Sequence, residues 1–124
     1  MFRKSRSWRK QRGVDFVLNW KPPEVLRKYY PGGFAGFDSC GCPVWIIPYG
    51  NLDMKGMLSC ISREEFMEFT LRIIETSMML MRQNTLATGS PVYQHVFIFD
   101  MDGFSLKVCH SVSKSLDFIF MYEC

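Results

Sequence analysis

Chemistry-bearing side chains are sparse in this chain, and few stand where a reaction would need them. The two histidines, His95 and His110, fall on a predicted strand and a predicted helix. No serine or cysteine occupies a recognisable nucleophile elbow beside either, so both read as ordinary core or surface histidines. Five cysteines, at positions 40, 42, 60, 109 and 124, are an odd number without a CxxC pair. That argues against a disulfide framework and against a thiolate zinc site. Reduced thiols in a cytosolic protein fit them best, the turn pair Cys40 and Cys42 included. Gly32-Gly33-Phe34-Ala35-Gly36 has the composition of a phosphate-binding loop, but it leads into a strand and presents no helix N-terminus to a phosphate. Arg3, Lys4, Arg6, Arg9, Lys10 and Arg12 crowd the start of the chain with no acid among them, so the formal charge of +3 is a local excess. The first reading of these cations is a solvated helix face; the sharper one is attraction to anionic membrane surfaces. No motif supports nucleic-acid binding. Nine methionines and eleven phenylalanines suit either an irregular core or a cavity that accepts flexible apolar chains.

Either use of these residues needs a scaffold, and 124 residues at 48% hydrophobic and 15% aromatic suffice for one globular domain with a core. Met1–Asn19 reads as a helix without a starting cap. Pro22-Pro23 ends it, because the residue before a proline is pushed out of the α region, and a short helix follows that closes at Tyr30 before Pro31-Gly32-Gly33. Phe34–Phe37 and Val44–Ile47 flank Asp38-Ser39-Cys40-Gly41, with Asp first and Gly fourth in a turn, which predicts a β-hairpin. Val44-Trp45-Ile46-Ile47 lacks polar alternation, the pattern of a strand covered on both faces. Asn51–Ser59 reads as a loop with Leu52, Met54, Met57 and Leu58 tucked inward. Ser62-Arg63-Glu64-Glu65 is a capping box, and the helix it opens, Glu64 to about Gln83, carries an apolar stripe wide enough for near-complete burial. Asn84–Pro91 is a linker and Val92–Phe99 the next strand. A strand, a long helix and a strand make a βαβ unit, so Val44–Ile47 and Val92–Phe99 should pair in parallel. Ser105–Cys124 has helical spacing. No run reaches the roughly 18 apolar residues of a membrane-spanning helix, and no secretory h-region follows the basic start.

Several of these residues together carry a family likeness. Lys21-Pro22-Pro23-Glu24-Val25-Leu26, Tyr29-Tyr30-Pro31-Gly32-Gly33, Gly36-Phe37-Asp38, Gly41-Cys42-Pro43-Val44-Trp45 and Phe99-Asp100-Met101-Asp102-Gly103 resemble, in order and spacing, the CRAL-TRIO family of intracellular lipid-transfer proteins. The likeness is nearest to the Sec-fourteen-like branch of supernatant protein factor or tocopherol-associated type. It runs over nearly the whole chain but matches only about the first half of the family's domain. It implies an α/β fold, a partial CRAL-TRIO domain with a mixed, mainly parallel sheet and flanking helices. Residues 1–20 would end a helical N-terminal subdomain, and residues 21–124 would form a truncated lipid-binding domain. The sheet would floor a pocket walled by helices. Met67, Thr70 and Ile74 share one helical stripe by their three-to-four spacing, and period two sets His95, Phe97 and Phe99 on one strand face. Met67, Thr70, Ile74, Phe97 and Phe99 are therefore the expected ligand-binding residues. The likeness implies a hydrophobic lipid ligand, a transient membrane surface as partner, a cytoplasmic location, and neither catalytic residue, metal nor cofactor.

Val96-Phe97-Ile98-Phe99-Asp100-Met101-Asp102-Gly103 also resembles motif one of the haloacid-dehalogenase phosphatases. There the first Asp, here Asp100, attacks phosphorus, the second, here Asp102, is the general acid/base, and magnesium sits beside them. In that family the motif opens the domain, Thr or Val follows where this chain has Phe104, and a distant Lys and acidic pair are required. The plainer reading is a strand-end turn with exposed acids.

Overall fold

The computed structural model describes residues 2–104. The helix expected over Ser105–Cys124, with His110, Cys109 and Cys124, lies outside the described residues. Helix α1 spans Phe2–Arg12. The single helix expected to Asn19 breaks at Gly13, whose φ of 62° is left-handed backbone that costs glycine little. A 3₁₀ segment, Val14–Asn19, follows and buries Val14 and Val17. Beyond Pro22-Pro23, α2 (Glu24–Tyr29) forms with Tyr30 as its C-cap, as expected.

The hairpin is present. Strands β1 (Gly33–Phe37) and β2 (Pro43–Pro48) pair antiparallel. Asp38 makes the turn, its Oδ1 accepting from the backbone N–H of Cys40 at 2.9 Å and of Cys42 at 2.8 Å, the local bonding for which Asp is favoured there. Strand β3 (Val96–Asp100) pairs in parallel with β2, so the sheet order is β1-β2-β3. β3 begins at Val96, not Val92, and reaches Asp100.

Between β2 and β3 the chain forms a 3₁₀ turn (Tyr49–Asn51) and two helices. The segment expected as a loop is helix α3 (Met54–Cys60), capped by Asp53, whose carboxylate accepts from Gly56 N–H. The inward residues were legible there, since Leu52, Met54 and Met57 are buried, but the cap and the helix were not. Helix α4 runs Arg63–Thr88, five residues past the expected end at Gln83, to a left-handed Gly89. Its capping box is complete in both directions, Ser62 Oγ accepting from Glu65 N–H and Glu65 accepting from Ser62 N–H.

Two burial expectations fail. Of α4 only Phe66 and Ser77 are fully buried, whereas Met78 and Met79 are 40% and 39% exposed. β2 alternates in burial, with Trp45 and Ile47 inside and Ile46 43% exposed. The cause is common to both: α4 lies on one sheet face, and among the described residues nothing comparable lies on the other, where Val44, Ile46, Val96 and Ile98 sit. The core is not centred on the sheet. Leu26, Leu52, Met54, Met57, Ile61 and Phe66 cluster where α2, α3 and the start of α4 meet, with Trp20, Tyr30 and Phe69 packed on them. The N-terminal segment docks on α4 through polar groups. Arg72 donates to the carbonyl oxygens of Val17, Leu18 and Trp20, and Arg9 pairs with Glu75 at 2.7 Å and with Asp15 at 3.4 Å. The Glu75 hydrogen bond is the main reason the Arg9 guanidinium is held above its ordinary value, against an opposing desolvation.

Candidate functional site

Residues paired across a sheet project to the same face. The register therefore sets Phe34, Trp45 and Phe97 in one row, with ring centroids 5.8 Å apart for Phe34 and Trp45 and 6.1 Å for Trp45 and Phe97. Phe97 also stacks on Phe99 at 6.0 Å with the rings 7° from parallel, and Tyr49 lies 5.3 Å beyond Phe99. His95 meets Phe97 edge-on at 5.0 Å, and its buried Nδ1 has no partner. Phe37 joins the same face against Phe34, at 5.3 Å. By simple alternation residues 34 and 37 would point to opposite faces. The register irregularity between Phe34 and Gly36 brings them together, and Gly36, at φ 138°, permits it.

Helix α4 crosses this aromatic face at its centre. The Trp45 indole Nε1–H donates to Ser77 Oγ at 3.2 Å in a buried bond, and Asn84 Nδ2 donates to the Gly41 carbonyl at 2.6 Å. Ser77 and Asn84, seven residues apart, thus define the helix line that faces the sheet. At about 100° per residue, Met67, Thr70 and Ile74 fall on one flank of that line and Phe69, Arg72 and Thr76 on the other. The second flank is occupied, Phe69 packing on Tyr30 at 4.9 Å and Arg72 holding the N-terminal carbonyls. The first carries the three expected ligand residues, all half-buried. Thr70 Oγ1 bonds back to the Phe66 carbonyl at 3.1 Å, so its hydroxyl is engaged within its own helix.

Each expected residue thus has a definite place. Phe97 and Phe99 stand together in one stack on β3; Met67, Thr70 and Ile74 share one flank of α4. Trp45, Phe34, Phe37 and Tyr49 were missed, although the parallel register of β2 with β3 would have led from Phe97 to Trp45. The aromatic face is only partly covered: Trp45 is 6% exposed but Phe99, Phe37 and Phe34 are 49%, 48% and 43%. Near its Tyr49 end, burial pushes the Tyr30 and Tyr49 phenols, which share a hydrogen bond, above their ordinary range.

The other candidate chemistry lies apart from this face. Asp100 is exposed at the end of β3, where its Oδ1 accepts from Asp102 N–H at 3.0 Å and Phe104 N–H closes a turn on the Met101 carbonyl. Among the described residues no three His, Cys, Asp or Glu side chains gather as a metal site. A cleft of about 480 Å³ opens at the other end of β3, lined by Asp38, Cys42, Tyr93, Gln94, His95 and Val96. It includes none of the five expected residues. Cys42 is buried, its thiol raised first by desolvation and then by Asp38, whereas Cys40 and Cys60 are exposed free thiols.

A hairpin, a long crossover helix and a parallel strand, with an aromatic face half open beneath the helix, make up an α/β module. Residues 27–124 match the CRAL/TRIO domain, and the chain belongs to that family. It is 36% identical over 108 residues to "Protein real-time" of Anopheles gambiae, an overlap of 86% of this chain and 16% of that protein. The protein of the same name from Aedes aegypti is 35% identical over 108 residues, 86% of this chain and 17% of that protein. The chain therefore spans about one sixth of the length of the curated relatives it matches.

Proposed function

We propose that this chain is the first half of a lipid-carrying domain, residues 21–124, preceded in residues 1–20 by the end of a helical subdomain. The protein it represents takes up a hydrophobic lipid, a phospholipid or a tocopherol-like molecule in the manner of the Sec-fourteen-like branch, and moves it between membranes in the cytoplasm. Membership of the CRAL/TRIO family supports lipid binding in general. The observation that carries the assignment to this face is the stack Trp45–Phe97–Phe99, which ends half exposed on the sheet face that α4 crosses at Trp45. An acyl or isoprenoid chain laid over the stack would cover it without any bond being made or broken. Each buried methylene contributes about 0.8 kcal/mol, close to what the same group loses on leaving a bilayer, so exchange is nearly neutral.

The test uses a full-length relative in which residues 21–104 replace the matching segment. Lipid extraction from phosphatidylcholine vesicles, with and without tocopherol, is compared for the parent, Phe97→Asp and Ile98→Asp. Loss of loading in the first variant with loading kept in the second supports the assignment. Equal loading by both folded variants refutes the face, and a parent that folds but loads nothing refutes the carrier reading.

A further inference from the structure

Helix α1 is cationic well beyond what its packing uses. It buries no residue, has no acid, and carries six Lys and Arg in Phe2–Arg12. Arg9 is committed to Glu75 and Asp15. At about 100° per residue, Phe2, Arg3, Arg6 and Lys10 fall within one face of roughly 100°, and all four are exposed, Phe2 at 93%. Arg3 with Arg6 and Arg6 with Lys10 are like-charge neighbours at i+3 and i+4, an arrangement that works against an isolated helix. An opposing anionic surface removes the repulsion. Phe16, just past the break at Gly13, is 73% exposed, and an aromatic beside cations suits the zone between lipid headgroups and acyl chains.

We propose that the Arg3–Arg6–Lys10 face of α1, with Phe2 at its edge, docks the protein on anionic phospholipid surfaces. The proposal rests on the lipid-carrier reading and adds where the carrier touches its membrane. A lipid surface fits better than a nucleic acid because the cations are joined by exposed phenylalanine on a short convex helix and not by a groove.

The experiment is vesicle co-sedimentation of the full 124-residue chain, using phosphatidylcholine vesicles with and without phosphatidylserine. The Arg3→Gln/Arg6→Gln/Lys10→Gln variant is compared with Lys28→Gln/Lys55→Gln/Arg82→Gln, which removes equal charge from other exposed positions. The first variant should bind phosphatidylserine vesicles on the order of a hundredfold more weakly than the parent, about fivefold per cation. The second should bind within a few-fold of it, and salt should weaken the parent as surface charges are screened. Equal losses in both variants, or no preference of the parent for phosphatidylserine, overturn the proposal. So does a single-stranded oligonucleotide that outcompetes the vesicles through the same three residues, which would make α1 a nucleic-acid surface. Lipid extraction by the chimaera described above, which lacks α1, is the independent readout of the carrier reading: a chimaera that extracts lipid beside a 124-residue chain with no preference for phosphatidylserine defeats this inference and leaves the carrier reading standing.

Discussion

Arg72 is expected to be the main polar anchor of the N-terminal segment. Its Nη1 donates to three backbone carbonyls, those of Val17, Leu18 and Trp20, at the exit of the 3₁₀ segment. The Val17 carbonyl already accepts from Trp20 N–H, and those of Leu18 and Trp20 stand where the end of a helical turn leaves carbonyls without partners. Arg72→Met keeps the apolar stem and removes the donors. Hydrogen bonds to a charged group contribute about 1.5–3 kcal/mol each. The Val17 contact, at 3.5 Å, is long, and a half-buried site lets water recover part of the loss, so a total of about 2–4 kcal/mol is expected. Against a margin of about 5–15 kcal/mol for a typical domain that is a large fraction, equivalent to a fall in Tm of about 10 °C. Arg72→Lys should fall between, because its ammonium keeps the charge and donors but ends short of the position Nη1 occupies. Urea unfolding followed by tryptophan fluorescence measures the first quantity. Limited proteolysis near Gly13 measures the second, since loss of the anchor should free α1 before the rest unfolds. A Met variant within about 0.5 kcal/mol of the parent, the spread of a neutral surface change, and with residues 1–20 still protected would refute the assignment.

Ser77→Ala leaves the buried Trp45 N–H without an acceptor and should cost about 1–3 kcal/mol, read by chemical denaturation; Ser77→Thr should recover part of it. Glu75→Gln breaks the Arg9 pair, but the Arg9 side chain is 33% exposed, so the loss should stay below about 1 kcal/mol. Because burial raises the folded-state values of Tyr30 and Tyr49, their contribution is fully present below the unfolded tyrosine value of about 10. It is lost as pH climbs above that, where the unfolded chain releases protons that the folded one retains. Denaturation midpoints measured from neutral to strongly alkaline pH should fall at the high end, and less in Tyr30→Phe/Tyr49→Phe. The isolated chain should be marginally stable and self-associating through the Ile46–Ile98 face, so Ile46→Thr/Ile98→Thr should raise its monomer fraction in light scattering.

Where a segment's signal was local, the sequence carried it: the Asp38 turn, the Ser62–Glu65 capping box and the parallel pairing forced by a helical crossover were all legible and all form. The errors arose where the outcome depends on a neighbour. Asn51–Ser59 contains Asp53 as a helix cap, but Gly50, Gly56 and a short apolar run masked a helix that is stabilised by burying Met54 and Met57 against Leu26. Gly89, Ser90 and Pro91 break the chain as expected, but the helix continues through Asn84, whose side chain reaches across to the Gly41 carbonyl, to end at Thr88. Val44–Ile47 was apolar at every position, and period cannot tell which face a helix will take when both qualify. For the expected ligand residues, spacing places Met67, Thr70 and Ile74 on one stripe. It could not give Phe34 with Phe37, because a register irregularity is a property of the paired strands.

The methionines divide between two environments. Met54 and Met57 are 2% and 4% exposed in the cluster beneath α2 and α3, where unbranched thioethers fill a gap between short helices that regular packing would leave. Met67, Met78, Met79 and Met81 belong to α4, half-buried or exposed, on the helix that crosses the aromatic face. A helix surface meant only for a fixed protein partner is served by branched residues with few rotamers, since these lose less entropy on packing. Four methionines on one helix keep more side-chain freedom than branched residues would. The sheet is more rigid: Trp45 is fixed by Ser77 and the Phe97–Phe99 stack is held by strand register. Under the carrier proposal, the sheet is the stiff floor and the α4 methionines are the adaptable part of the apolar surface.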